Sequence, residues 1–203
     1  MFRKLIDIII FLFIFSLYFV SSLMIYDRFR ERKLTDYERD IIDKFDEEVK
    51  VEEKKEETQE TPTTNSSSLH YNNRYTILGK IEIPSIGFKS IIIKENTYSA
   101  MSVGVIKTYG SDLNEPGGFV LSGHNFRGKS VFLYNIRTLK NSDKIYITDT
   151  NGRKIGYSVY SVERNVSPTE TSYMQIYDGL HVTMVTCENG GKSRIVVKAK
   201  SEG

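Results

Sequence analysis

Cysteine is almost absent from this chain of 203 residues: Cys187 is the only one. A lone thiol excludes an internal disulfide framework, and with only three His beside it the chain cannot assemble the Cys/His cluster of a structural zinc site. An excess of either charge is missing too. Lys+Arg 28 against Asp+Glu 26 leaves a net +2, too little for a dedicated nucleic-acid binder. At 23.4 kDa there is room for one ordinary globular domain and an appendage, not for an array of domains.

The near-neutral total conceals a partition of +3 over residues 1–35, −7 over 36–60 and +6 over 61–203. The first block holds an apolar run from Ile8 to Tyr26, 19 residues without a charge. As a helix rising about 1.5 Å per residue it covers roughly 28 Å, close to a bilayer core of about 30 Å. Residues 1–26 are therefore expected to form a transmembrane anchor. A cleaved signal peptide is the alternative, since Val20 and Ser22 supply small residues, but its apolar region runs only about 7 to 15 residues. Arg3 and Lys4 precede the span, whereas Arg28, Arg30, Arg32 and Lys33 follow it. A count of flanking positive charge alone would leave the C-terminal side in the cytoplasm.

Residues 27–74 read as a charged helical stalk and a disordered tether. Thr35 with Glu38 makes a capping-box pattern, and Leu34, Tyr37, Ile41, Phe45 and Val49 recur at helical spacing. The stripe is narrow, which favours a solvated stalk laced with Glu/Lys pairs over a dimerising coiled coil or a regulatory helix. The run from 56 to 68, rich in Thr and Ser and poor in apolar residues, reads as the tether.

From Tyr75 the rhythm changes to short runs of β type separated by Gly, Asn, Asp and Pro: 76–84, 89–94, 118–123, 144–150, 154–166, 181–187 and 194–200. The stretches 97–106 and 130–139 fit short helices. Residues 75–203 are thus expected to be a mainly β domain, a closed or nearly closed barrel of about eight strands with one or two short helices. Such a domain buries a core without disulfides.

Cys187 ends an apolar strand. The following loop, Glu188 to Ser193, carries an Asn-Gly-Gly turn signal, so strands 181–187 and 194–200 should pair as a hairpin with Cys187 opposite Arg194. Cross-strand partners hold their Cβ atoms about 4.5–5.5 Å apart on one face. A guanidinium there favours the thiolate and can donate to the oxyanion formed when sulfur attacks a carbonyl. A buried inert thiol and a surface strand arginine are the bland alternatives. Acyl transfer by a thiol also needs a proton donor for the leaving amine. His70 lies in the tether, and His181 stands six residues before Cys187, about 20 Å along an extended strand. His124, where an apolar strand stops at Gly123 and a polar loop begins with Asn125, remains. The order His124 before Cys187 is the reverse of the papain-like proteases.

These residues resemble the sortases, membrane-anchored cysteine transpeptidases of Gram-positive bacteria. The resemblance covers about residues 77–200 and rests on GKIEIPSIGF (79–88), GGFVLSGHN (117–125), VFLYNIRTLK (131–140) with Asp143 and KIYI after it, and TMVTC (183–187) followed by Arg194. The family signature is Thr-Leu-x-Thr-Cys, so Met184 stands where Leu is usual, a modest change at a buried strand position. The short 168–179 loop and the absence of a second C-terminal span favour a class D or class A-like member over classes B and C.

The resemblance implies that Cys187 attacks the Thr-Gly amide of a Leu-Pro-x-Thr-Gly-like sorting signal and forms a thioacyl enzyme. His124 would protonate the leaving amine and deprotonate the incoming one, with Arg194 at the oxyanion or the signal backbone. Thr186 becomes a candidate for substrate contact. Tyr173 and Met174, with Ile176 and Tyr177, would wall the groove for the signal or else cap the barrel core. The implied partners are surface proteins bearing a C-terminal sorting signal, a peptidoglycan-precursor or pilin amine, and the membrane through the N-terminal helix. No nucleic acid, metal or cofactor is called for. The implied topology places Met1 inside and the catalytic domain outside. Two rivals are a net hydrolase on the same scaffold and a catalytically inactive tethered binding module.

Overall fold

The computed structural model describes residues 2–56, 70–71, 74–125 and 133–201. The chain divides into two compact units, Met1–Tyr37 and Glu38–Gly203. Helix α1 runs from Phe2 to Glu56. Within the first unit its window Ile9–Tyr26, 18 residues of mean hydropathy 2.3 with none buried, is long and apolar enough to cross a membrane.

Among the described residues the second unit has nine strands: β1 (His70–Tyr71), β2 (Tyr75–Ile83), β3 (Phe88–Ile93), β4 (Val105–Gly110), β5 (Phe119–Gly123), β6 (Lys144–Asp149), β7 (Lys154–Val166), β8 (His181–Glu188) and β9 (Ser193–Ser201). Their order is β1-β2-β3-β4-β5-β8-β9-β7-β6, and β6 pairs back onto β2, so eight strands close into a barrel with β1 as a short extra strip. The β3–β4 and β5–β8 pairs are parallel, and all the others are antiparallel. Closure removes the unpaired edges that an open sheet would leave.

Alternation along the strands decides what fills the barrel. Ile81 and Ile83 of β2, Ile92 of β3, Leu121 of β5, Met184 of β8 and Ile195 and Val197 of β9 join one fully buried core. The six-residue 3-10 turn Leu133–Thr138 drops Leu133 and Ile136 into the same core. Tyr157 is also wholly buried, and its hydroxyl donates to Asn114 Oδ1 at 3.0 Å, so the phenol has a partner inside.

All seven expected strands are present, with bounds moved by a residue or so. The helix expected over 97–106 is a single turn, α2 (Tyr98–Met101), followed by strand β4. Thr97 caps α2 by accepting the Ala100 amide at 3.2 Å, but Gly104 breaks the helical run, and Val105 and Ile106 then pair in parallel with Ile92 and Ile93. A side chain at Gly104 would come within 2.8 Å of Ile91, so the chain crosses β3 too closely for any other residue. His70, read as tether, stands opposite Thr76 in β1. Of the expected tether, residues 57–68 lie outside the described residues.

The stalk reading is overturned for residues 38–49. Ile41, Ile42, Phe45 and Val49 are all buried, Ile41 and Phe45 to 1% exposure. Asp46 pairs with Lys80 and, at 3.3 Å, with Lys89, both on the outer surface of β2 and β3. Glu82 adds ion pairs to Lys80, Lys89 and Lys154. Ile91 and Ile93 share the outward alternation of Lys89 yet have no exposed surface, so this part of the outer wall is covered too.

Candidate active site

The parallel pair β5–β8 brings the strand ends together. Gly123 stands opposite Thr186 in register, so His124 emerges beside Cys187 one step further on. Adjacent strands lie about 4.8 Å apart, which places the two residues at one rim of the barrel. On the other side of β8, Cys187 is paired directly with Arg194 of β9, as the hairpin argument requires. Its turn holds Asn189, Gly190 and Gly191 at φ 51, 66 and 92, left-handed conformations that Asn and Gly tolerate best.

Which face these residues occupy follows from their neighbours. Val182 and Met184 point into the barrel, whereas Val185 joins Val120, Val196 and Tyr173 in a separate cluster on its outside. Cys187 lies two residues from Val185, and Arg194 two from Val196, so each shares its neighbour's face. The thiol, which is exposed, and the guanidinium therefore share the outer face floored by that cluster. The loop from Ser167 to Leu180 lays Tyr173 on this floor, and Met174 packs beside it.

Two polar ties hold the rim. Thr186 is 2% exposed, and its hydroxyl donates to the Gly123 carbonyl at 2.8 Å. Its side chain thus links β8 to β5 directly behind His124. Asn125 Nδ2 donates to the carbonyl of Cys187 itself. Sequence reasoning missed Asn125, although its place beside His124 was a signal. Arg194 Nη1 donates to the carbonyls of Gly191 and Ser193, both at 3.0 Å. These bonds orient the guanidinium plane, whose five N–H donors exceed what the two carbonyls take.

A second group missed from sequence is Glu188. It is 6% exposed and accepts Arg164 Nε at 2.8 Å, Arg164 Nη2 at 2.6 Å and the Asn165 amide at 2.8 Å. Burial pushes its carboxyl up, but the Asn165 amide and the Arg164 guanidinium outweigh that and hold it below the usual range. The knot fastens a bulge in β7 to the turn that carries Arg194. Burial also lowers the basicity of His124, which favours the neutral imidazole.

The remaining sequence candidates lie elsewhere. His181 opens β8, at the end opposite Cys187, and stacks on Tyr177 with centroids 4.4 Å apart. Tyr177 forms an isolated bridge with Gly117 at that same end, and Ile176 is 81% exposed. Of the four apolar loop residues, only Tyr173 and Met174 flank the floor beneath the thiol. Among the described residues no group of His, Cys, Asp and Glu is arranged to hold a metal ion.

A family model for the Sortase domain matches residues 81–202, more than half of the chain. The chain belongs to the sortase family. This sortase is 29% identical over 111 residues to the Sortase A of Bacillus anthracis, covering 55% of this chain and 52% of that protein. To the Sortase A of Listeria monocytogenes it is 25% identical over 112 residues, 55% of this chain and 50% of the other. The chain thus spans about half the length of the curated relatives it matches. Among solved structures, the Sortase D5 transpeptidase of Clostridium perfringens superposes with a TM-score of 0.59 at 25% identity, over 85% of this chain and 98% of that one. Sortase A from Corynebacterium diphtheriae gives 0.58 at 20% identity over 78% and 84%, a likeness of fold.

Proposed function

We propose that this sortase is a cysteine transpeptidase that cleaves a Leu-Pro-x-Thr-Gly-like sorting signal and joins the acyl fragment to an amine. The observation that carries the proposal is the convergence at one exposed barrel rim of Cys187, its cross-strand partner Arg194 and, from the parallel strand, His124. As Cys187 Sγ attacks the Thr-Gly carbonyl its proton passes to the neutral imidazole of His124, and Arg194 stabilises the oxyanion or the signal backbone. As the C–N bond breaks, His124 donates a proton to the leaving glycine amine, leaving a thioester on Cys187. An amine then attacks that thioester, its proton passes to His124, and the Cys187 sulfur departs. Tyr173 and Met174 wall the groove for the signal. Thr186 acts from behind, by fixing the Gly123 carbonyl and so the strand end bearing His124.

The 167–180 connection has no helical insertion, which supports a class D or class A-like assignment. The N-terminal apolar window anchors the chain in the cell membrane with Met1 cytoplasmic and the barrel outside, where surface proteins and a peptidoglycan-precursor or pilin amine are its substrates. Mass spectrometry of the full-length chain in detergent, incubated with a library of sorting-signal peptides with and without amines, tests this reading. A thioester adduct on Cys187 that an added amine resolves to a new amide is the expected result. Hydrolysis unaffected by any amine would assign the net hydrolase instead, and Cys187 labelling by a peptide vinyl sulfone no faster than by a generic alkylator would assign the binding module.

A further inference from the structure

His124 has an aromatic neighbour. The Tyr98 ring stands edge-on to the imidazole, with centroids 4.9 Å apart and planes at 65°. Helix α2, which carries Tyr98, leads into β4, and β4 borders β5 on the edge away from β8. His124 thus has the Tyr98 ring on its β4 side and the strand end that carries Cys187 on its β8 side.

Tyr98 is 74% exposed, so packing of the barrel does not explain an aromatic ring at this position. Its backbone is nonetheless held in place. Ala100 is completely buried, Thr97 caps the turn, and Ser102 Oγ donates to the Tyr98 carbonyl at 3.0 Å. A fixed backbone that presents an exposed ring to the edge of a cleft is how binding sites use tyrosine, because the ring offers large contact area at a small loss of side-chain freedom.

Which ligand it faces follows from the transpeptidase reading, on which this inference rests. The acyl part of the signal lies over the floor of Val120, Val185, Val196 and Tyr173, on the thiol side. The leaving amine, and later the incoming one, must reach the imidazole. We propose that Tyr98 is the aromatic wall of the acceptor-amine subsite, a specificity-determining residue that packs against the peptide segment bearing the nucleophilic amine. In the step it serves, the amine nitrogen bonds to the thioester carbonyl carbon, the C–S bond breaks, Cys187 leaves as thiolate and the amine proton goes to His124. The leaving group is a glycine amine, and the reverse reaction uses the same subsite, so triglycine is a fitting probe.

The test uses the full-length chain in detergent with a Leu-Pro-x-Thr-Gly peptide and increasing triglycine, following the amide product by mass spectrometry. Tyr98→Ala is expected to raise the half-saturating triglycine concentration about tenfold, the order of losing one aromatic contact. Tyr98→Phe, which keeps the ring, is expected to stay at the wild-type value. Because the side chain is exposed, the Ala variant keeps the barrel core, and its thermal melting checks this. An unchanged half-saturating concentration in Tyr98→Ala, with the thioester still forming on Cys187, overturns the inference alone. Failure of the wild-type chain to form the thioester overturns the transpeptidase reading, and this inference with it.

Discussion

Replacing Cys187 by Ala is expected to abolish cleavage of a sorting-signal peptide, because the sequence holds no other thiol. His124→Ala and Arg194→Ala should each lower the rate by orders of magnitude, the first through the lost proton transfer and the second through the lost oxyanion donor. His181→Ala is the internal control, since its ring stacks on Tyr177 at the opposite end of β8. Chromatography of the peptide products separates these outcomes, and near-wild-type turnover by the Arg194 variant would remove the cross-strand guanidinium from the mechanism. Glu188→Gln tests the adjoining knot. Losing the anion that Arg164 and the Asn165 amide hold should lower stability by about 1–3 kcal/mol, read from chemical denaturation. The pH dependence has a definite sign. The carboxyl of Glu188 titrates lower in the folded chain than in the unfolded one, so its stabilisation is complete above the ordinary glutamate value of about 4.3 and is lost as pH falls through the lower, native value. The Gln variant should show a shallower loss of melting temperature on acidification than the wild type.

Among the elements, the C-terminal part of α1 departs furthest from what its composition suggests. Twelve acidic residues against five basic ones over 36–60 describe a solvated helix, yet its apolar stripe is buried. Phe45→Ala is expected to destabilise the barrel by about 3–5 kcal/mol, as for other fully buried phenylalanines, with the loss visible in denaturant unfolding of the full-length chain. Asp46→Ala should cost less, about 1–3 kcal/mol, because Lys89 is partly exposed while Lys80 is buried and would keep only Glu82 at 3.8 Å. Equal effects from the two variants would mean that the ion pairs, not the apolar stripe, hold the helix. The site depends on elements in the same way: β5 and β8 must lie parallel and in register for His124 to flank Cys187, and the Thr186 hydroxyl on the Gly123 carbonyl secures that register.

For the molecule as a whole, the decisive contact is the seam where β6 returns to β2 and closes the barrel. Gly79 lies there, paired with Ile92 on one side and Asp149 on the other. A Cβ at Gly79 would fall 2.3 Å from the Thr148 carbonyl oxygen and 2.9 Å from Leu113, so backbone has to move to admit it. Gly79→Ala is expected to cost about 1–3 kcal/mol, and its denaturation midpoint checks this. Gly87→Ala, by contrast, falls on a turn, and with nothing within 4 Å of the added carbon its cost comes only from its φ of 60°. Closure also separates the proposed site from the core: the inward alternation packs the interior, and the exposed Cys187 stands on the outward one.

Much of this could be read without coordinates, where the physics is local. A period of two residues announced the strands, the Asn-Gly-Gly turn set the pairing of Cys187 with Arg194, and the uncharged run from Ile8 to Tyr26 declared its length. Elimination by reach left His124 as the candidate proton donor. What the tertiary structure alone decided are contacts between residues far apart in the chain: Phe45 and Asp46 against the barrel wall, Arg164 on Glu188, Asn125 on the Cys187 carbonyl, Tyr98 against His124. Periodicity records which face of an element is apolar, not which surface will cover it. That choice is made when the strands close and bring those distant faces within van der Waals and hydrogen-bond range.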